Sequence, residues 1–372
     1  MIKILEYNLK GNLPDPFVFN DGHRLKDKSE WQARKAEIYK SAVDLQYGGA
    51  VPAPEYFEVE PLYMSKKNPS IYRITAGTRE RTVSFDMTVF KADAKKALPT
   101  VVSGDGCFSY PFNPEYVNAF LDNGINFVSF NRTDLMPDVA RYNTNIPSKD
   151  SGEYELAVRV IADYEKGIRR GELAKVYPDM PFGAISAWAW GYSRCVDALE
   201  MLGFADMDCI AFTGHSRGAK TAMLAGALDE RAAIVNPNAA CAGGCSCYRL
   251  QIKAVKEDGV TEAVSEPLSN IFHHFPLWLG GGMREYIDKE DELPFDSHYL
   301  KAMVAPRVLF VSEAGSDIMS NPVGSWQTTM GACEVYKLLG AEDKLLWYMR
   351  DGDHSQNDED IAQLVNVIRN YK

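Results

Sequence analysis

The chain has 372 residues, and its 40 Lys and Arg against 51 Asp and Glu give a formal net charge of −11. This acidic balance argues against nucleic-acid binding, because phosphate recognition needs basic residues gathered on one face. No apolar run reaches the length of about 18 residues that a transmembrane helix needs. The N-terminal apolar stretch is too interrupted for a secretory signal, so we expect a cytoplasmic protein, or a secreted one whose signal has been removed from the sequence.

The first 90 residues predict a helix followed by antiparallel strands. An amphipathic pattern from Glu30 to about Tyr47 predicts a helix that ends at Gly48-Gly49. Polar and apolar residues then alternate between Tyr56 and Phe90, which is typical of antiparallel strands. We expect this extension and the core of residues 91–372 to form a single domain.

Beyond Leu98, short apolar strands alternate with helical segments, which predicts a parallel sheet covered by helices on both faces. The predicted strands are 100–103, 126–130, 208–212, 233–236, 307–312 and 345–349. The predicted helices are 115–123, 183–202, 217–228, 323–339 and 357–370. The polar stretch 132–180 is interpreted as an excursion over the sheet edge. The fold class is therefore α/β, a three-layer sandwich with a mostly parallel sheet and an antiparallel N-terminal extension.

The seven cysteines are odd in number, which does not suit a disulfide framework. Cys241, Cys245 and Cys247 crowd into one short segment without a paired C-x-x-C spacing or a neighbouring His. This pattern favours small buried thiols over a metal site. We expect neither a metal nor a cofactor.

The sharpest motif is Gly214-His215-Ser216-Arg217-Gly218, a G-x-S-x-G between a predicted strand and a predicted helix. In this context the motif is typical of the nucleophile elbow of an α/β-hydrolase. The turn would lift the Ser216 hydroxyl to the carboxyl edge of the sheet, where the Arg217 amide can face a developing oxyanion. The alternative is a plain Gly-rich turn.

A nucleophilic serine needs a base, and six histidines compete for that role. His354 follows the last strand and precedes the final helix, where this fold places its histidine. His215 lies inside the elbow and cannot fold back onto Ser216. The remaining histidines lie in the N-terminal extension or in the loop-rich region between sheet strands: His23, His273, His274 and His298.

The third member of a triad should orient the imidazole of the base. The loop after the strand 307–312 supplies two carboxylates, Asp317 and Glu313. Asp317 is the first choice, because it gives the chain order Ser216, Asp317, His354. Glu313 is the second choice.

Arg217 and Lys220 place two cations beside the serine, with Lys220 one helical turn further on. The sequence shows no acidic residue near them to neutralise the charges, which suggests an acyl group rich in oxygen. The alternative is that both are surface cations that pair with carboxylates elsewhere in the fold.

Several further motifs follow one another along nearly the whole chain. They are Leu13-Pro14-Asp15-Pro16, Trp31 to Ile38, Tyr47-Gly48, Trp188-Ala189-Trp190-Gly191, Ser216-Arg217-x-x-Lys220, Ala242-Gly243-Gly244 with Arg249, Phe275-Pro276-Leu277-Trp278, Leu293-Pro294-Phe295-Asp296 with His298, and Ala305-Pro306-Arg307. With these motifs the sequence resembles the glucuronoyl esterases of carbohydrate esterase family 15, and the bacterial branch more closely.

The resemblance implies an α/β-hydrolase that cleaves the ester between a glucuronic acid carboxyl, often 4-O-methylated on xylan, and an alcohol. It implies Ser216 as nucleophile, His354 as base and Arg217 as an oxyanion contact. It further implies Lys220 at the sugar hydroxyls, with Glu266 and Trp278 as additional substrate contacts. The expected partner is a uronate ester, as a small molecule or an oligosaccharide, and not a nucleic acid or a membrane; the oligomeric state is left open.

Two positions depart from the family's pattern. Many members carry a catalytic Glu where this chain has Ala239, and most have a Trp against the uronate where Met319 stands. Trp326 is a candidate replacement for that platform. The departures keep two alternatives open: a general carbohydrate carboxylesterase such as an acetyl or feruloyl esterase, and a catalytically weak carbohydrate-binding relative.

Overall fold

The structure of the protein, a computed structural model, describes residues 2–3, 13–138, 171–255 and 261–371. The strands are β1 (Ile2–Lys3), β2 (Tyr56–Tyr63), β3 (Ser70–Gly77), β4 (Thr82–Phe90), β5 (Leu98–Ser103), β6 (Asn126–Phe130), β7 (Ala205–His215), β8 (Ala232–Asn238), β9 (Lys253–Val255), β10 (Thr261–Ala263), β11 (Val308–Ala314) and β12 (Leu345–Arg350). The α-helices are α1 (Trp31–Tyr39), α2 (Pro114–Leu121), α3 (Glu172–Val176), α4 (Ala184–Leu202), α5 (Arg217–Leu228), α6 (Leu268–His274), α7 (Ser297–Val304), α8 (Pro322–Leu339) and α9 (Asp358–Arg369).

One nine-stranded sheet organises the fold, in the order β12-β11-β8-β7-β5-β6-β4-β3-β2. Its neighbours from β12 to β6 pair in parallel. The N-terminal strands β4, β3 and β2 continue the same sheet with antiparallel pairing. The predicted parallel sheet with an antiparallel extension is confirmed. A separate small sheet joins β1, β9 and β10.

Helices cover both faces of the sheet because successive strand residues point to opposite sides. Val101 and Phe127 pack in one hydrophobic cluster with Leu364 of α9. Val102 and its neighbours on the other face pack in a second cluster with Trp188 of α4. These two apolar layers produce the predicted three-layer arrangement.

The predicted N-terminal helix is present, and its hydrogen-bonding pattern changes from α to π after Tyr39. The α-helix Trp31–Tyr39 continues as a π-helical segment, Lys40–Leu45. The chain then turns at Gly48, whose φ is +74°. A Cβ at this position would lie 1.9 Å from the carbonyl oxygen of Pro181, so both the backbone angle and the close approach require glycine.

Three further predictions from the sequence concern the cysteines, the polar stretch 132–180 and membrane-spanning helices. Cys241, Cys245 and Cys247 are buried free thiols, as predicted. Most of the predicted excursion, residues 139–170, lies outside the described residues. Among the helices that the structure describes, none is long and apolar enough to cross a membrane.

Candidate active site

Ser216 lies on a strained turn between β7 and α5. Its φ of 57° and ψ of −120° are unusual for a residue with a side chain. A Cβ on Gly214 would lie 2.5 Å from the carbonyl oxygen of Gly218. One on Gly218 would lie 1.9 Å from Oδ1 of Asp105. The two glycines of the motif are therefore needed because the turn is crowded by backbone and by a buried carboxylate.

Asp105, which sequence analysis missed, holds the elbow from the neighbouring strand end. Its Oδ2 accepts a hydrogen bond from the backbone N–H of His215 at 2.8 Å. The carboxylate also pairs with the buried guanidinium of Arg132 and accepts from the Tyr110 hydroxyl. The available signal was a carboxylate directly after β5, because the carboxyl ends of parallel strands meet at one edge of the sheet.

The loops that carry Asp317 and His354 are fastened to each other. The N–H of Gly315 donates to the carbonyl of Arg350 at 2.8 Å, and the N–H of Ser316 donates to the carbonyl of Gly352 at 2.9 Å. These bonds extend the parallel pairing of β11 with β12 past the ends of the strands. Both side chains consequently approach Ser216 from adjacent loops.

The side chains of Ser216, His354 and Asp317 form a continuous hydrogen-bonded chain. His354 Nε2 lies 2.8 Å from Ser216 Oγ, and His354 Nδ1 lies 2.6 Å from Asp317 Oδ2. The other oxygen of Asp317 accepts from the N–H of Ser320 at 3.1 Å. This geometry allows the imidazole to take a proton from the serine while the carboxylate fixes its orientation.

Glu313, the second choice for the acid, contacts Ser320, which in turn contacts Asp317. Its Oε2 is 3.0 Å from the hydroxyl of Ser320, the residue whose N–H bonds to Asp317. Burial raises the pKa of Glu313 to about 7. In this geometry Asp317, and not Glu313, is the carboxylate that reaches His354.

Two of the competing histidines have contacts of their own. His215 Nδ1 lies 2.7 Å from Asn238 Oδ1, and burial lowers its pKa. His298 is fully buried with Nε2 2.8 Å from the carbonyl of Pro14, and burial lowers its pKa to about 4. Each of these two rings thus has a structural hydrogen-bond partner, whereas the ring nitrogen that reaches Ser216 Oγ belongs to His354.

Arg217 lies beside the serine, and it is not an unneutralised cation. Its Nη1 is 3.2 Å from Oδ2 of Asp138, which lies at the end of a described segment far from it in sequence. Its guanidinium carbon lies 4.8 Å from the ring centre of Phe275 and 5.0 Å from that of Trp278. Its backbone N–H belongs to the first turn of α5, where helix geometry provides no acceptor.

Lys220 is also paired, so both cations have carboxylate partners that are distant in sequence, as the alternative interpretation expected, although Lys220 is buried and not a surface residue. Its side chain is 1% exposed, and Nζ lies 2.7 Å from Glu266 Oε2. The same ammonium donates to the carbonyls of Ala240 and Ala242 at 2.8 and 2.6 Å. A buried ammonium needs such partners. The sequence did not predict these partners because they lie on loops that are distant from Lys220 along the chain.

The structure brings Glu266 and Trp278 to Lys220, whose Nζ lies 2.7 Å from Glu266 Oε2 and 5.5 Å from the ring centre of Trp278. Glu266 is 7% exposed and holds Lys220. Trp278 is 2% exposed, stacks on Phe275 with ring centres 3.8 Å apart, and donates from Nε1 to Asp138. Asp138, which the sequence analysis did not single out, therefore holds both Arg217 and Trp278.

The two departures from the family pattern have defined places. Ala239 is buried directly after β8 with a positive φ of 49°, and its N–H donates to the carbonyl of Ser312. Met319 is 42% exposed, two residues beyond Asp317. Trp326 packs edge-on against Trp347 with ring centres 5.2 Å apart.

A family model described as "Glucuronyl esterase, fungi" matches residues 74–340. The chain belongs to this family. The resemblance predicted from the ordered sequence motifs is thereby confirmed. The matched range includes Ser216 and Asp317, and His354 lies after its end.

Two named relatives support the assignment to this family. This chain is 28% identical over 350 residues to the 4-O-methyl-glucuronoyl methylesterase 1 of Wolfiporia cocos, and the match covers 92% of this chain and 76% of the relative. It is 29% identical over 342 residues to the enzyme of the same name from Phanerochaete chrysosporium, covering 89% of this chain and 63% of that relative. The chain thus spans less than two thirds of the second relative's length.

A solved bacterial structure shares the fold. The carbohydrate esterase family 15 glucuronoyl esterase from Caldicellulosiruptor kristjansonii is 27% identical, with a TM-score of 0.78 over 96% of this chain and 90% of that chain. The predicted α/β-hydrolase fold class is confirmed.

Proposed function

We propose that the protein is a serine esterase that hydrolyses the ester between a glucuronic or 4-O-methyl-glucuronic acid carboxyl, on xylan or its oligosaccharides, and an alcohol. The observation that carries the proposal is the chain of short contacts from Ser216 through His354 to Asp317. Family membership supports the choice of substrate class.

The reaction follows from the positions of these groups. Ser216 Oγ attacks the ester carbonyl carbon, and its proton passes to His354 Nε2. The resulting imidazolium protonates the leaving alcohol, which breaks the ester bond and leaves an acyl-serine. His354 then takes a proton from water as the water oxygen attacks the acyl carbon. The bond from that carbon to Ser216 Oγ breaks, Oγ takes the proton back from His354, and the free uronic acid leaves.

Charge in the transition state develops on the carbonyl oxygen. Because Ser216 is the N-cap of α5, the N–H of Arg217 and the positive end of this helix are available to stabilise that oxygen. The guanidinium of Arg217 adds a cation that Asp138 and two aromatic rings hold in place. Lys220, Glu266 and Trp278 are proposed to complete the uronate pocket next to it.

The proposal is tested by replacing Ser216 with Ala and measuring hydrolysis of benzyl glucuronate. We expect loss of turnover by roughly 10⁴-fold or more, with the circular dichroism spectrum unchanged. Labelling of the wild type, but not of S216A, by a fluorophosphonate probe provides a second readout. Turnover retained in S216A would refute the proposal, and an unlabelled wild type that binds oligosaccharide would favour the binding-protein alternative.

A general carbohydrate carboxylesterase is the second candidate, and Met319 is the observation that favours it. A flexible methionine, 42% exposed, stands where the family usually offers a flat indole, so selection for the uronate ring would be weaker. The comparison of kcat/KM for benzyl glucuronate, p-nitrophenyl acetate and methyl ferulate separates the two functions. We expect the glucuronate ester to be preferred, and a preference for acetate or ferulate would support the second candidate.

A further inference from the structure

Arg132 is a fully buried cation outside the triad. It begins the short turn that follows β6, and its side chain is 0% exposed. Its Nη1 pairs with Oδ1 of Asp105 and donates to the carbonyl of Gly104 at 3.2 Å. Its Nη2 lies 3.6 Å from Oδ2 of Asp138. One guanidinium therefore lies between two carboxylates that come from different loops.

Each of these carboxylates also holds a neighbour of the nucleophile. Asp105 accepts a hydrogen bond from the backbone N–H of His215, the residue before Ser216, at 2.8 Å. Asp138 accepts from the side chain of Arg217, the residue after Ser216, with Nη1 3.2 Å from Oδ2. The contacts of the two residues that flank the serine are thus joined through the one buried guanidinium.

Two aromatic rings keep the guanidinium in place. Its central carbon lies 5.0 Å from the ring centre of Phe108 and 5.1 Å from that of Trp188. Aromatic faces attract a guanidinium that has been removed from water. Trp188 also donates from Nε1 to the carbonyl of Met136 at 2.7 Å, within the segment that joins Arg132 to Asp138. The same indole therefore fixes the guanidinium and the segment that carries its second carboxylate.

A guanidinium suits this position because its planar fork can contact two carboxylates at once. One carboxylate would offset the cost of burying the cation, and the second adds a link to another loop. The ammonium of a lysine is a single point charge, so it could keep Asp105 but could not also span to Asp138. The second contact fixes Asp138, and through it the guanidinium of Arg217 relative to Ser216.

We propose that Arg132 is a positioning residue for the reaction at Ser216. Through Asp138 it holds the guanidinium of Arg217 in register with the elbow that Asp105 holds. The inference rests on the proposed function, because it concerns how the oxyanion contact of that reaction is kept in place. Arg132 is fully buried, and it acts on the oxyanion only through these carboxylates.

The test is a double-mutant cycle between Arg132 and Arg217. R132K should lower kcat on benzyl glucuronate by about tenfold with KM within about twofold, because the guanidinium of Arg217 is needed most in the transition state. In the R217A background the same change should lower kcat by less than about threefold, since no guanidinium is left to position.

R34K is the matched control for replacing a buried arginine by lysine. Arg34 is 3% exposed on α1, and it donates to the carbonyl of Pro16, to Glu37 and to the hydroxyl of Tyr299. R34K and R132K should both lower the melting temperature. In R34K, kcat should stay within about twofold of the wild type, because a loss of stability alone does not change the transition state.

The rate at which a fluorophosphonate labels Ser216 repeats the cycle without a sugar substrate. A loss in R132K that nearly vanishes in the R217A background supports the proposal. Equal losses in both backgrounds, unchanged kcat in R132K, or an equal loss of kcat in R34K would overturn it. If the wild type is labelled but does not hydrolyse benzyl glucuronate, the proposed function fails, and the labelling rates still decide the role of Arg132.

Discussion

The two sides of the site are built differently. On the triad side, Ser216, Asp317 and His354 follow the parallel strands β7, β11 and β12, whose carboxyl ends lie at one edge of the sheet. On the cation side, Arg217 and Lys220 lie on one helix, and their carboxylate partners Asp138 and Glu266 come from distant loops. The proposed reacting groups are therefore positioned by the ends of sheet strands, whereas the proposed recognition groups depend on how distant loops pack against α5.

The largest expected effect separates the two carboxylates of the triad side. D317N should lower kcat by roughly 10³–10⁴-fold, because an amide no longer holds the imidazole in the required tautomer. E313Q should change kcat by less than tenfold, since Glu313 reaches Ser320 and not His354. Steady-state kinetics on benzyl glucuronate measures both variants. A larger loss in E313Q than in D317N would reverse the assignment of the acid.

On the cation side, the buried pair should matter first for stability. E266Q leaves the Lys220 ammonium without a carboxylate in the interior, so we expect the free energy of unfolding to fall by about 3 kcal/mol. Adding Lys220→Met to this variant should recover part of the loss. Urea denaturation measures these changes, with E60Q on the exposed side of β2 as a control. An unchanged E266Q would show that the pair contributes nothing to the fold.

The buried Glu313 should make stability depend on pH. Burial raises its pKa to about 7, above the ordinary value of 4.5; the nearby Asp317 carboxylate adds to this shift, whereas the Lys301 ammonium opposes it. The folded state therefore keeps a proton that the unfolded state has released. This contribution is fully present below pH 4.5 and is lost as pH rises through about 7.

The variant E313Q removes this titration. Its stability relative to the wild type should increase between pH 5 and pH 8 by up to about 3 kcal/mol. Denaturant unfolding of both proteins at the two pH values measures the difference. A constant difference across this range would mean that Glu313 does not titrate there.

The smallest effect is expected at Asp138, which holds Arg217 and Trp278 together. D138N keeps the shape of the side chain and loses the charge, so Arg217 should be less well held. We expect kcat/KM on the glucuronate ester to fall by about tenfold, a change of about 1.4 kcal/mol. D179N, at an exposed carboxylate, is the control. Equal activity of D138N and the wild type would show that holding the Arg217 side chain in place does not contribute to stabilising the oxyanion.

Local sequence patterns are enough to predict the parallel strands, the elbow at Ser216 and the chain order of the proposed triad. These features depend on local patterns: hydrophobic period, glycines at a crowded turn, and a histidine after the last strand. That Asp317 rather than Glu313 reaches His354 follows only from the folded conformation of the loop after β11. Two carboxylates four residues apart look alike until the loop places one on the imidazole and buries the other.

The charges around the serine show the same division. The sequence shows Arg217 and Lys220 with no acidic neighbour, and the fold brings Asp138 and Glu266 to them. Desolvation is the physical reason: a cation taken out of water requires a partner, and the partner's position in sequence is free because only its position in space affects the energy. Local patterns therefore predict the candidate reacting groups, whereas long-range packing decides which charged groups of the site are already paired within the protein.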